Sequence, residues 1–81
     1  QVEFVYLYRG DKKIFEGEIS TIVFDCNSSA YANDLKNSIN SGEVSVSSDK
    51  VTVKLNGETS FTVDQLSKQV RFDAVTVTYM K

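Results

Sequence analysis

The amino-acid sequence predicts a single small α+β domain in which an antiparallel sheet carries two helices on one face, in the order β-β-β-α-β-β-α-β. Most of the chain alternates apolar and polar residues with the period of two that is typical of strands. Two segments carry helix-capping residues instead, and the short connections favour antiparallel pairing. The 81 residues have room for one hydrophobic core. We therefore expect residues 1–81 to form one domain and, because the chain starts at Gln1 without a Met, to be part of a longer protein.

Three strands are predicted in the N-terminal third. Residues 2–8 are almost wholly apolar or aromatic, on both faces, which is typical of a strand in the middle of a sheet or covered on both sides, and residues 9–12 supply a turn. Residues 13–18 alternate as a half-exposed strand. Residues 22–24 form a third strand, unless they continue the second one as a single long strand bent at Ser20.

The first predicted helix follows a dense cluster of capping residues at 25–29. Tyr31, Leu35 and Ile39 recur every four positions, which indicates a helix of about three turns that buries one narrow stripe. Gly42 suits the left-handed residue after its last turn. Residues 43–47 and 50–55 then alternate as two strands, with a turn at Asp49.

The second predicted helix depends on Thr62-Val63-Asp64-Gln65, which has the pattern of a capping box. Phe61 before the cap and Leu66 inside the helix would form a hydrophobic staple. We therefore predict a loop over residues 56–60 and a helix over residues 63–69.

Asn56-Gly57 would ordinarily indicate a two-residue hairpin. That hairpin would place the apolar Val53 opposite the polar Ser60, so the register argues against it. The last strand is predicted over residues 70–80, with a bulge or a late strand start near Ala74 because the apolar parity changes there.

The composition excludes several classes of function. The chain has no His, and a lone cysteine, Cys26, can make neither an internal disulfide nor a metal cage. The commonest general base is therefore missing, and Cys26 is more typical of a plain small residue in a cap loop than of an activated thiol. We expect a domain that is not an enzyme, with no catalytic, cofactor-binding or metal-binding residues, no cofactor and no membrane contact, in a reducing compartment.

One candidate binding site remains, at the first turn. Arg9, Lys12 and Lys13 cluster beside a strand that bears Tyr6 and Tyr8. Aromatic side chains that stack on bases next to basic residues are typical of single-stranded RNA binding. The net charge of −2 argues against a strong nucleic-acid binder, so we expect weak binding. The alternative is that both tyrosines pack in the core and the charges only solubilise the turn.

Four segments carry a resemblance to a known family, and they are Lys13-Ile14-Phe15-Glu16-Gly17; Ile22-Val23-Phe24 with the helix end Asp34-Leu35-Lys36-Asn37-Ser38-Ile39-Asn40; Thr62-Val63-Asp64-Gln65-Leu66-Ser67-Lys68-Gln69; and Ala74-Val75-Thr76-Val77-Thr78. In their order and spacing they resemble the frataxin-like domain of betacoronavirus non-structural protein three, the C-terminal part of the SARS-unique region. The chain differs from the SARS-type members in its short second helix, the lack of a proline before the last strand and its acidity, which indicates another lineage such as a bat or murine virus.

The resemblance implies a frataxin-like fold and a non-enzymatic accessory domain of a viral replicase polyprotein. Such a domain would act as a docking or spacing element between a macrodomain-like unit upstream and a ubiquitin-like domain and papain-like protease downstream. The resemblance also contributes to the expectation of weak RNA binding, by a monomer in the host cytoplasm on the cytosolic face of virus-induced replication membranes. An alternative from the size and composition is a free-standing small viral inhibitor that binds and blocks a host enzyme.

Overall fold

A computed structural model describes residues 6–81, and in that range it shows a five-stranded antiparallel sheet, a two-stranded sheet and a single helix. The elements in chain order are β1 (Tyr6–Leu7), β2 (Lys12–Ile14), β3 (Ile19–Cys26), α1 (Ser29–Lys36), β4 (Glu43–Ser47), β5 (Lys50–Lys54), β6 (Ser60–Thr62) and β7 (Val70–Tyr79). The large sheet has the order β1-β7-β3-β5-β4, and β2 pairs with β6 in the small one. The part of the first predicted strand at residues 2–5 lies outside the described residues.

The centre of the large sheet is β3, which pairs with β5 on one side and β7 on the other. Its buried residues, among them Ile22 and Phe24, share one side of the strand and define what we call the inner face of the sheet. The register against β7 shifts between Ile19 and Thr21, which places the irregularity at Ser20. Strands β2 and β3 are separate, so the chain has two strands here and not one long bent strand.

The hairpin of β4 and β5 and the final strand β7 agree with the predictions. The two hairpin strands pair without interruption from Glu43↔Lys54 to Ser47↔Lys50. In β7 a second register shift falls where Ala74 and Phe72 pair with consecutive residues of β3, which is the predicted bulge.

Helix α1 is shorter than the three turns that the sequence predicts. Its N-cap is Ser28, whose hydroxyl oxygen accepts from the backbone N–H of Tyr31 at 3.2 Å. The helix ends at the cap residue Asn37. Gly42 does have a left-handed φ of +67°, but it lies five residues beyond that cap, directly before β4. Through Ala32 and Leu35 the helix packs on the inner face of the large sheet.

The prediction of a second helix is wrong, and with it the two-helix α+β fold and its frataxin-like form. Residues 60–62 form β6, and residues 64–69 have no helical turn. The carbonyl groups that a helix would need are taken by other parts of the chain: the carbonyl of Thr62 accepts from the N–H of Asn40 at 3.1 Å, and the carbonyl of Val63 accepts from the N–H of Gly10 at 2.6 Å. A helical turn would have to break these long-range bonds, so the tertiary pairing prevails over the local capping pattern.

The segment 60–69 still contributes to the core, although in an extended form. Phe61 is 2% exposed and contacts two other rings: it stacks on Phe15 with centroids 6.0 Å apart, and it meets Phe24 edge-to-face at 5.8 Å. Val63 and Leu66 are also buried. The fold is therefore a mostly antiparallel sheet whose inner face is covered by one short helix and by the small sheet with its C-terminal extension.

The opposite side of the large sheet, the outer face, is polar. One row across four strands runs Ser45–Thr52–Val23–Thr76, and these four residues are half-buried or exposed. At one end of this face, Lys50 Nζ donates to Asp25 Oδ1 at 2.9 Å. The hydrogen bond to Asp25 and its charge raise the pKa of Lys50.

Candidate aromatic and basic surface

Strand β1 places two tyrosine rings next to each other on the outside of the molecule. Leu7 between them is completely buried, so the neighbouring side chains point away from the core. Tyr6 is 41% exposed and Tyr8 is 50% exposed, and their rings meet edge-to-face with centroids 5.2 Å apart. The alternative that both tyrosines pack in the core is therefore wrong.

The turn after β1 is fixed by hydrogen bonds in both directions. The backbone N–H of Tyr8 donates to Asp11 Oδ2 at 2.8 Å, and the N–H of Asp11 donates to the carbonyl of Tyr8 at 3.1 Å. Gly10 has a φ of +85°, which favours glycine, and its N–H donates to the carbonyl of Val63 at 2.6 Å. These bonds hold Arg9 at the tip of the turn, where it is exposed.

The structure adds two residues that the sequence analysis missed. Arg71 on β7 is the pairing partner of Tyr6, and it is exposed. Gln69 Nε2 donates to the hydroxyl oxygen of Tyr8 at 3.3 Å. Only the pairing of the first and last strands reveals these neighbours, because they lie more than sixty residues away in the sequence. We call the group formed by Tyr6, Tyr8, Arg9, Gln69 and Arg71 the tyrosine surface.

The two lysines of the predicted site are not brought together. Both lie on β2, where Lys12 pairs with Thr62 and Lys13 with Phe61. Because successive residues of a strand point to opposite sides, the exposed Lys12 and the half-buried Lys13 cannot belong to one surface. Of the three predicted basic residues, Arg9 therefore lies next to Tyr8. Lys12 is exposed three residues further along the chain, and Lys13 points to the other side of β2.

The single cysteine is a core residue. Cys26 is 1% exposed, and burial, followed by the charges of Asp49, Asp25 and Asp73, raises the pKa of its thiol to about 11. The thiolate is therefore scarce at neutral pH, which excludes the interpretation of Cys26 as an activated nucleophile.

Two further properties of residues 6–81 bear on the kind of site that they can form. Within that range, no group of three or more His, Cys, Asp or Glu side chains is placed to hold a metal ion. Among the same residues, no helix has the length and apolar character needed to cross a membrane.

Comparison with models of protein families, with curated proteins and with solved structures found no match for this chain. The resemblance to the coronavirus domain thus stays a prediction from four sequence segments. In one of these, residues 62–69, the helix expected for the family is not formed.

Proposed function

We propose that this chain is a non-enzymatic binding domain whose tyrosine surface makes weak contacts with single-stranded RNA. The observation that supports the proposal is the pair of adjacent exposed rings, flanked by Arg9 in the turn and Arg71 on the neighbouring strand. Bases of any sequence can stack on an aromatic ring, and arginine can stack on bases and pair with phosphates.

The rings would supply most of the affinity and the cations a smaller share. Stacking on one aromatic side chain contributes about 1–3 kcal/mol per base. If Arg9, Lys12 and Arg71 each neutralise one phosphate, log K would fall with log salt at a slope of about −2, from roughly −0.7 per phosphate. The carboxylate of Asp11 in the same turn and the net charge of −2 oppose a stronger electrostatic contribution.

The test is a titration of a labelled single-stranded RNA, such as a ten-nucleotide oligouridine, at low and at high salt. We expect weak, salt-sensitive binding that Tyr8→Ala weakens by about 5- to 150-fold, which corresponds to 1–3 kcal/mol. Tyr79→Ala is the matched control: Tyr79 is 44% exposed but lies eight residues from Arg71 along β7, about 26 Å away at 3.3 Å per residue.

Two results would overturn the proposal. The first is no binding of the wild-type domain at low salt. The second is an equal loss of affinity in the Tyr79 control and the Tyr8 variant, since that would place the contact elsewhere. Arg71→Gln adds an independent readout, because it should make the salt slope shallower by about 0.7 if Arg71 contacts a phosphate.

We further propose, on the sequence segments alone, that the domain belongs to a coronavirus replicase protein and docks between its neighbours there. The absent helix at residues 62–69 weakens this second proposal and leaves the first unaffected. An NMR titration of the domain with the adjoining papain-like protease module tests it. Shifts confined to one surface would support docking, and an unchanged spectrum would refute direct contact with that module.

A further inference from the structure

Strand β4 forms an open edge of the large sheet. Within residues 6–81, β5 is the strand that pairs with it, and its other side has no strand partner. The tyrosine surface lies at the opposite edge, on β1, so the pairing capacity of β4 is independent of the proposed RNA contact.

The ladder fixes which backbone groups of β4 point outward. The N–H of Leu55 donates to the carbonyl of Ser20 at 2.9 Å, and the N–H of Cys26 donates to the carbonyl of Asp49 at 2.8 Å. The odd-numbered residues of β5 therefore bond to β3, and its even-numbered residues, such as Thr52, bond to β4. Since Thr52 pairs with Ser45, the N–H and C=O groups of the residues on either side of Ser45 face away from the sheet.

Those two residues are Val44 and Val46, and their side chains are only partly buried against the core. Edge strands are usually protected from further pairing by proline, lysine, a bulge or an inward-pointing charge. β4, whose sequence is Glu-Val-Ser-Val-Ser, has no proline or lysine and a regular register against β5, and its one charge is Glu43 at the first residue. The edge thus offers four backbone hydrogen-bonding groups and two valine side chains.

We propose that β4 pairs with β4 of a second copy of this chain, antiparallel, with the two-fold axis at Ser45. In this register two valine pairs form, because Val44 of each copy lies opposite Val46 of the other. In these pairs the four outward backbone groups of each copy are all hydrogen-bonded. The valines meet on the inner side, where each covers the exposed part of the other, and the two Ser45 side chains meet on the outer face.

The residues at the two ends of β4 exclude the neighbouring registers. A shift of two residues in one direction would pair Val46 with Gly42, and in the other direction Val44 with Ser48. Gly42 and Ser48 have φ values of +67° and +58°, so neither has the extended backbone that a ladder needs. The self-pairing register is therefore the one that uses both valines.

The charges on the outer face also suit a second copy. Glu43 pairs with Lys54 within its own copy and would lie opposite Ser47 of the other copy, whose own pairing partner is Lys50. Glu43 would thus lie between Lys54 of its own copy and the uncharged Ser47 of the other copy, and like charges would not meet directly. The contact is small, because five residues span only about 17 Å of strand, and a stable interface buries more than about 1,000 Å² of surface. We therefore expect a weak dimer that forms at high concentration.

Sedimentation equilibrium and concentration-dependent NMR spectra of the whole chain test the proposal. We expect a reversible dimer for the wild type. Ser45→Lys would place two ammonium groups directly opposite each other at the axis and should weaken dimerisation at least tenfold, and Ser45→Glu should do the same. A 1:1 mixture of these two variants should form the heterodimer, because opposite charges then face each other.

Two controls separate the edge from the rest of the sheet. Thr76→Lys adds the same charge to the same row of the outer face but three strands away, and should leave dimerisation unchanged. Val46→Pro removes an outward N–H without touching the ladder to β5 and should abolish the dimer, whereas Val46→Thr keeps both the N–H and the shape. Circular dichroism confirms that each variant is folded.

The proposal is overturned if the wild type remains monomeric up to about 1 mM, the concentration at which an association of roughly 4 kcal/mol would be half complete. It is also overturned if a dimer forms that tolerates Ser45→Lys and Val46→Pro, because its interface would then lie elsewhere. A mixture of the two charge variants that fails to associate contradicts the antiparallel register with its axis at Ser45.

Discussion

Phe61→Ala is the mutation that best distinguishes the observed fold from the predicted two-helix fold. Phe61 is 2% exposed and contacts the rings of Phe15 and Phe24. Truncating a fully buried phenylalanine costs about 3–5 kcal/mol through lost transfer energy and the cavity left behind. At about 0.05–0.15 kcal/mol per residue the whole domain has roughly 4–12 kcal/mol of stability, so this one change should remove about a quarter of it or more. A staple residue before a surface helix would contribute only about 0.3–1.5 kcal/mol.

The assay is urea unfolding of the wild type and the variant, followed by circular dichroism, with the midpoint and the slope fitted separately. Ile14→Ala is the matched control, because Ile14 lies on the strand that pairs with β6 but is 73% exposed. We expect a change within about 0.5 kcal/mol for this control. A loss below about 1.5 kcal/mol for Phe61→Ala would refute the placement of β6 over the core.

Three further substitutions test other parts of the structure. Gly42→Ala should cost about 1–3 kcal/mol or more in urea unfolding, because Gly42 has a left-handed φ and an added Cβ would clash with the backbone carbonyl oxygen of Lys54 and lie 2.7 Å from Leu55 Cδ2. The thiol of Cys26, with its pKa raised from 9.0 to about 11, stays protonated to a higher pH in the folded chain than in the unfolded chain. Relative to Cys26→Ala, the free energy of unfolding should therefore be constant below pH 8 and fall by a few kcal/mol at most between pH 9 and 11, and an equal pH profile of both proteins would contradict this. Asp34→Ala should cost about 1–2 kcal/mol and speed hydrogen exchange at Ser67, since Asp34 Oδ2 accepts from the Ser67 N–H at 3.2 Å and hydroxyl at 3.1 Å, whereas Asn33→Ala next to it should cost little.

The sequence could predict those strands in which the alternation of apolar and polar residues matches a core on one side and solvent on the other. In β4, β5 and most of β7 every second residue is apolar, and these residues face the core, so a period of two was sufficient. The bulge near Ala74 was predictable for the same reason, since a change of apolar parity within one strand requires an extra residue.

The helix over residues 63–69 could not be rejected from local patterns. Thr62 to Gln65 matches a capping box, but the pattern describes only what the segment could do alone. Whether its first carbonyl groups remain free for a helix depends on Asn40 and Gly10, whose N–H groups donate to Thr62 and Val63 from distant parts of the chain. The apolar positions were identified correctly as core residues, and the conformation that buries them was not.

The candidate site was predictable in its residues but not in its geometry. Because residues 2–8 are apolar on both faces, the sequence did not determine whether Tyr6 and Tyr8 are buried, and the structure places both rings outside. The role of Arg71 depends on the pairing of β1 with β7, which joins the two ends of the chain. Lys13 belonged to the same cluster in sequence, but the alternation of β2 turns it away from Lys12.

The two proposed surfaces have a joint consequence, because they lie at opposite edges of one sheet. A two-fold axis through Ser45 of two paired copies is perpendicular to the joined sheet, so the outer faces of both copies, and Tyr6 of each, would be on the same side. Ten strands at about 4.8 Å spacing would separate the two tyrosine surfaces by roughly 43 Å. An RNA long enough to span that distance would engage both surfaces and gain affinity from effective concentration, and a ten-nucleotide RNA would gain much less. If both proposals hold, Ser45→Lys should weaken the binding of the long RNA at least tenfold more than that of the short one, whereas Tyr8→Ala should weaken both. Equal effects of Ser45→Lys on the two RNAs would show that the surfaces act independently.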